Sequence, residues 1–390
     1  MNKYANMYRI WGICFILIIA AVLAAHILIK DKNYSPAEKR SLATLEALKK
    51  SFVSDKISSE EVEEYLADQF PSRDIIVEAK AMLDRMFGTV KFLDVYLCGN
   101  GYLMQDFAKP DDGNMAETYR QISDFADRYS DSSTYMMLVP NAISVYSKYL
   151  PPYIKVNSQD DFISKTYSEI SDNVECIDIA GIFSQMSENG DATQLYYYTD
   201  HHWTTDAAYI AYKALAMHLR LDMEACFESG IVCNDFSGSL ASRSGLKPLV
   251  NDSITLYYPS EASEEIFYRV LYEDEQRLEG TCYALDRLDG DNPYEIFFGG
   301  NHSSIEINTS ADTERKLLIF KDSYANCLIP FLIPQYSKIK IVDPRYYYED
   351  IDIVMQMDNY TDILFLYNVN TFSQDTSLKA VLQNEQYDAE

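Results

Sequence analysis

Lys316-Leu317-Leu318-Ile319-Phe320, followed at once by Lys321-Asp322-Ser323-Tyr324-Ala325-Asn326, is the stretch whose reading decides the fold. A short continuous apolar run bounded by polar residues is the pattern of a strand buried on both faces, as in a parallel sheet. The residues after the strand turn the chain into a helix that Pro330 shortens or kinks. Residues 338–342 and 362–366 repeat the pattern downstream, and residues 134–139 and 174–179 read the same way upstream. Segments of helical length separate them, such as the predicted helix 115–129, so the chain is predicted to be α/β, with a mainly parallel sheet and covering helices. In such sheets reactive groups gather at the carboxyl ends of the strands, which directs attention to Asp322 and Ser323. A serine at a strand-to-helix turn exposes its hydroxyl above the sheet, beside helix N-terminal N–H groups that can hold an oxyanion. The same position also suits a serine that merely caps the helix.

Working outward, the chain of 390 residues has room for one large α/β domain or two modest ones. Acids outnumber bases by 60 to 33, giving a formal net charge of −27, and this excludes binding nucleic acid through its phosphates. Residues 10–29 form an apolar run of membrane-spanning length, preceded by Lys3 and Arg9. The run exceeds an ordinary signal core, so we expect a retained signal anchor with the domain outside the cytoplasm; Ala24 and Ala25 leave cleavage and secretion as the alternative. Residues 1–30 are thus a membrane helix, 31–57 a juxtamembrane linker, 58–375 the α/β domain with an insertion around 226–291, and 376–390 a tail. Within the domain a helix is expected at 58–70, capped by Ser59, and a hairpin at 94–105, turned by Gly99-Asn100-Gly101. The seven cysteines form no C-x-x-C pair, so neither a zinc ribbon nor a disulfide framework is signalled.

A second stretch carries chemistry. Tyr198-Thr199-Asp200-His201-His202-Trp203-Thr204 holds two of the five histidines, directly after a carboxylate and before a helix capped by Thr204 or Thr205. If extended, residues two apart share a face, roughly 6.6 Å between them, so Asp200 and His202 project together while His201 points away. A carboxylate can then orient an imidazole, which becomes a general base. Packing of aromatic and polar residues at a loop explains the same composition.

Taken with Lys321-Asp322-Ser323-Tyr324-Ala325-Asn326, this run resembles the signature of the DHHW family, bacterial envelope proteins related to the alginate O-acetylation proteins of the SGNH-hydrolase-like superfamily. Residues 65–73, 237–242 and 299–302 are also similar to family sequence. The resemblance implies a three-layer α/β/α domain and a triad in which Ser323 is the nucleophile, His202 the base and Asp200 its orienting acid. For the oxyanion hole it adds Asn301 or the Gly299 N–H to the Ser323 N–H, and Asn141, at the end of a central strand by its pattern, competes with Asn301. Arg345 either binds an acyl carboxylate or sugar acid, or pairs with a surface acid. The implied function is a membrane-anchored extracytoplasmic O-acetyltransferase or acetylesterase acting on a cell-surface or secreted polysaccharide. A multispanning membrane acyltransferase is the expected acyl donor, and no cofactor or metal is expected. The alternative is an inactive glycan-binding or envelope-assembly protein. A metal site from Asp200, His201 and His202 is disfavoured, because adjacent residues converge on one ion only if the chain bends. Tyrosines 196–198 and 346–348 are read either as sugar platforms or as core, and His218 and His302 as structural.

Overall fold

The computed structural model describes residues 2–35, 40–53, 58–222, 227–247, 249–260 and 266–383, so Cys226 lies outside the described residues. The chain divides into two compact units, residues 1–93 with 242–247, and residues 94–241 with 248–390.

The first unit is helical. Helix α1 (Asn2–Leu28) contains Met7–His26, whose mean hydropathy of 2.2 is long and apolar enough to cross a bilayer, a test that a signal sequence also passes. It is followed by α2 (Leu45–Val53), α3 (Ser59–Asp68) and α4 (Arg73–Met86). The cap of α3 is Ser58 rather than Ser59. Ser58 Oγ accepts the Glu61 N–H at 3.2 Å and Glu61 accepts the Ser58 N–H in return, a reciprocal box that only the earlier serine can close. The acid and arginine flanking Phe70-Pro71 hold the helix junction: Asp68 accepts the Ala43 N–H at 2.9 Å and lies 3.8 Å from Arg73.

The second unit opens with the hairpin β1 (Val95–Leu97) and β2 (Leu103–Gln105), turned by Asn100 and Gly101 at positive φ. Then come α5 (Asp112–Arg128), β3 (Ser133–Val139), α6 (Ala142–Val145), α7 (Gln159–Glu169), β4 (Val174–Cys176), α8 (Ile179–Asn189) and α9 (Thr205–His218). A separate hairpin follows, β5 (Phe227–Phe236) with β6 (Asp252–Pro259). Among the elements that follow are β7 (Tyr268–Tyr272), β8 (Arg277–Glu279), β9 (Ser304–Thr309), β10 (Lys316–Lys321), β11 (Lys338–Val342), α10 (Ile351–Met357), β12 (Asp362–Asn368) and α11 (Ser377–Gln383).

The main sheet has eight strands in the order β8-β7-β9-β11-β10-β12-β3-β4. From β11 to β4 the neighbours run parallel, and β8, β7 and β9 run antiparallel. The sheet is therefore mixed, and the expectation of a mainly parallel one holds only for its central block. The physical reason is visible in β9, Ser304-Ile305-Glu306-Ile307-Asn308, whose alternation is that of a half-covered antiparallel strand, unlike the continuous apolar runs of β3, β10 and β12.

Central strands are buried on both faces. Leu317, Ile319, Met137, Val139, Leu364 and Leu366 join one apolar core, with α8 and α9 against it. Leu318, Phe320, Met136, Leu138, Ile363 and Phe365 join the other, against α5, α7, α10 and α11. Period-two alternation thus supplies two cores from one set of strands.

Candidate active site

Ser323 stands directly after β10, at the head of the 3-10 turn Ser323–Cys327. The turn is closed by Asp322, a fully buried carboxylate that accepts the Tyr324 N–H at 2.9 Å, the Asn368 N–H at 3.0 Å and the Asn368 side-chain amide. Tyr324 N–H is thereby consumed, whereas the Ser323 N–H opens the turn, where no preceding turn supplies an acceptor.

The chain bends at 199–202, so Asp200 folds back onto His202 instead of lying beside it along an extended strand. Asp200 Oδ1 accepts the His202 N–H at 3.0 Å and faces His202 Nδ1 at 2.5 Å, and Oδ2 accepts the Ser239 N–H at 2.7 Å. An ionised carboxylate only accepts, so His202 Nδ1 carries the proton and Nε2 is left as an acceptor. Ser323 Oγ lies 2.8 Å from that Nε2. Burial would raise the Asp200 pKa, but the His201 and His202 imidazoles beside it and its hydrogen bonds outweigh burial and hold it well below the usual carboxylate range. It is therefore ionised at neutral pH.

His201 does not point away as an extended chain would require. Its ring packs 3.8 Å from that of His202, and its Nδ1 lies 2.6 Å from Ser239 Oγ. The ligand atoms of Asp200, His201 and His202 fall within 4.8 Å of one another, yet Asp200 Oδ1 and both His202 nitrogens are already engaged in the chain leading to Ser323.

The loops carrying Ser323 and His202 are tied together. Trp203 Nε1 donates to the Tyr324 carbonyl at 2.9 Å, Tyr324 OH donates to the His201 carbonyl, and Asn141 Nδ2 donates to Tyr324 OH at 2.9 Å. Beneath them the buried Asp252 accepts the Tyr198 and Thr199 N–H groups at 2.8 Å each and Thr199 Oγ1 at 2.6 Å. Burial raises the Asp252 pKa against these bonds. Thr199 Oγ1 in turn accepts the Gly238 N–H at 2.8 Å. A Cβ on Gly238 would sit 2.2 Å from Asp200 Cβ, so only glycine fits there. Tyr294, fully buried, lies flat on His202 with ring centroids 3.8 Å apart and 14° between planes, and its OH reaches the Ser323 carbonyl at 3.5 Å.

Of the other residues singled out in the sequence, Asn141 is occupied: its amide binds Tyr324 OH and its carbonyl receives Gln159 Nε2 at 3.2 Å. Asn301 Oδ1 lies 3.4 Å from both Lys321 Nζ and Asn326 Nδ2, at the end of the strand that bears Ser323. Gly299 and Gly300 have φ of +75° and +120°, the left-handed region that explains the pair. Arg345 grips Asp343 through both oxygens at 2.8 and 2.7 Å, and Lys321 binds the same carboxylate at 3.2 Å, so its partner is a buried acid. Of the tyrosine clusters, Tyr196, Tyr197 and Tyr347 are core, Tyr198 is half-buried, and Tyr346 and Tyr348 are exposed. His302 is buried between Asp274 and the Phe298 carbonyl, and His218 is exposed beside Glu175.

Sequence reading did not single out Tyr294 and Asp252, which reach the site from distant positions with no local motif. For Gly238 and Ser239 the signal was the Ser237-Gly238-Ser239 run, legible as family-like sequence without a role.

Comparison with solved structures finds the same fold in a DHHW family protein from Eubacterium siraeum, with a TM-score of 0.60 and 22% identity, covering 75% of this chain and 97% of that one. Bacillus cereus PatB1, solved with a sulfonyl adduct, matches with a TM-score of 0.61 and 19% identity, covering 72% of this chain and 96% of that one. The O-acetyltransferase domain of Pseudomonas putida AlgJ aligns more distantly, with a TM-score of 0.46 and 16% identity, over 74% of this chain and 98% of that one. No curated protein matches. The DHHW protein profile matches residues 113–342, more than half of the chain and a span that holds Asp200, His202 and Ser323, and by that match the protein belongs to the DHHW family.

Proposed function

We propose that this protein is a serine acyltransferase or esterase, acting as an O-acetyltransferase or acetylesterase on an extracytoplasmic polysaccharide. The observation that carries the reading is the continuous hydrogen-bond chain Ser323–His202–Asp200. Ser323 Oγ attacks the ester carbonyl while His202 Nε2 takes its proton, and Asp200 steadies the imidazolium. His202 then protonates the departing alkoxide, leaving an acyl-serine. An acceptor hydroxyl, from sugar or water, gives its proton to His202 and attacks the acyl carbon, and His202 passes that proton to Ser323 Oγ as the acyl–oxygen bond breaks. The Ser323 N–H is the first oxyanion donor, with Asn301 and the Gly299 N–H as the second candidates and Asn141 held back by its own bonds. Arg345, with its fork filled by Asp343, serves the strand end instead of a substrate acid.

In this reading the domain is SGNH-hydrolase-like, held outside the cytoplasm by α1 as a signal anchor, or released if that helix is cleaved. A multispanning acyltransferase in the same membrane supplies the acyl group. A purely glycan-binding protein has no need of a serine hydroxyl held on an oriented imidazole, which favours the enzyme.

The test is to treat the full-length protein in detergent with p-nitrophenyl acetate, and separately with a sulfonyl fluoride, and to map adducts by mass spectrometry. An acetyl or sulfonyl group on Ser323 is expected. Folded protein that hydrolyses nothing and carries no adduct would overturn the reading.

Tyr294 gives a graded prediction. Its negative ring face lies over an imidazole that becomes cationic during the reaction, an interaction of about 1 kcal/mol or more in a dry site. Tyr294→Leu should lower kcat roughly tenfold, because loss of the ring face leaves the imidazolium that forms in the reaction without its aromatic partner. In Tyr294→Phe, which keeps the ring, most of that loss should return. Equal losses in the two variants would refute the stacking role.

A further inference from the structure

A cleft of about 240 Å³ opens beside the histidine loop, between the end of α8, the segment after it and the turn following α6. Its walls include Tyr102, Tyr149, Tyr198, Lys148, Asp191 and Gln194. Tyr102 is sandwiched, with Tyr198 stacked on it at 4.2 Å between centroids and Tyr149 at 5.6 Å. The inner ring is buried while the outer two stay half-exposed, so the stack presents aromatic surface at its ends. Tyr198 belongs to the loop that carries Asp200 and His202: it lies two positions before Asp200, a span of at most roughly 7 Å of chain. Leu103 N–H donates to the Tyr198 carbonyl at 2.8 Å, which fixes this wall to β2.

The polar groups decide the ligand's charge. Asp191 and Lys148 are the charged side chains among the lining residues. Lys148 Nζ donates to the Ser187 carbonyl at 2.6 Å, and Gln194 Nε2 donates to the Tyr196 carbonyl and to Asp252. What the cleft offers a ligand is a mixed set with one charge of each sign: the exposed Asp191 carboxylate, which also accepts the Thr193 N–H at 2.8 Å, the Gln194 carbonyl, and the remaining N–H donors of the exposed Lys148, beside flat apolar faces. Sugar hydroxyls donate to such acceptors, and the C–H faces of a pyranose pack on aromatic rings. A carboxylated sugar would meet Asp191 within a protein of net charge −27.

We propose that this cleft is a glycan subsite for an uncharged pyranose, a neutral hexose or N-acetylhexosamine, that holds the acceptor or product chain while Ser323 turns over. The assignment deepens the acyl-transfer reading and rests on it for its role, although binding itself does not require turnover.

Binding is measured by calorimetry on the full-length Ser323→Ala protein in detergent, with cellohexaose, chitohexaose and hexamannuronate as probes, and adduct formation on Ser323 of the unsubstituted protein is scored separately. At least one neutral oligosaccharide should bind, and Tyr149→Ala or Asp191→Asn added to that background should weaken it about tenfold or more, with hexamannuronate weaker than either. Asp191 is exposed, so its replacement reports binding even where loss of the Tyr149 ring disturbs packing. Failure of both neutral probes to bind, unchanged affinity in the two variants, or preference for hexamannuronate would overturn the subsite. A missing adduct with intact, variant-sensitive binding would instead sink the acyl-transfer reading and leave the subsite standing.

Discussion

Ser323→Ala and His202→Ala each lower kcat for p-nitrophenyl acetate hydrolysis by about 10⁴-fold or more, and the double variant loses no more than the worse single one. Non-additivity is expected because the two groups act as one device: without the base the hydroxyl stays protonated, and without the hydroxyl the base has nothing to activate. His202 Nε2 and Ser323 Oγ are 2.8 Å apart, within reach for direct proton transfer. KM should change little in comparison, since neither group is assigned to ground-state binding. Thermal unfolding should barely move for Ser323→Ala, because the turn is closed by Asp322 and Asn368 and not by the serine hydroxyl. Losses that multiply in the double variant, or a Ser323→Ala protein of normal activity, would show that the chemistry runs elsewhere.

Gly238→Ala should cost about 10²-fold in kcat/KM and about 1–3 kcal/mol of stability, though the added methyl group is nowhere near Ser323 in the sequence. The new Cβ would lie 2.2 Å from Asp200 Cβ and 2.5 Å from Asp200 Cα, distances that no rotamer change can relieve. The backbone of one loop must therefore retreat. Asp200 Oδ2 then loses the Ser239 N–H, Thr199 Oγ1 loses the Gly238 N–H, and the carboxylate no longer fixes the His202 tautomer. The readouts are a lowered melting temperature together with a fall in acylation rate. By contrast Gly88→Ala, which meets nothing within 4 Å although its φ of +86° carries a backbone cost, should affect stability alone. An active Gly238→Ala enzyme would mean that the Asp200 contact is dispensable.

Local sequence determined much of this protein. Continuous apolar runs placed β3, β10 and β12 within a residue or two, because a strand covered on both faces has little freedom to be polar, whereas the run 174–179 overshot β4 by three residues and its last one opens α8. The antiparallel flank at β7 to β9 was less legible, since half-covered strands share their alternation with surface loops and their partners are set by pairing. In the site, Asp200 and His202 were readable as a pair because their contact is local, and Ser323 because a strand-to-turn junction exposes its hydroxyl. Only the tertiary structure decided that His202 and Ser323 meet across 121 positions, that His201 folds against His202 because the loop bends, and that Arg345 is taken by Asp343. It also brought in Tyr294, Asp252 and Gly238, whose contacts with the histidine loop depend on chain segments far apart in sequence. Periodicity records which face of an element is buried, but not which distant side chain covers it, and the geometry of this site is made of the latter.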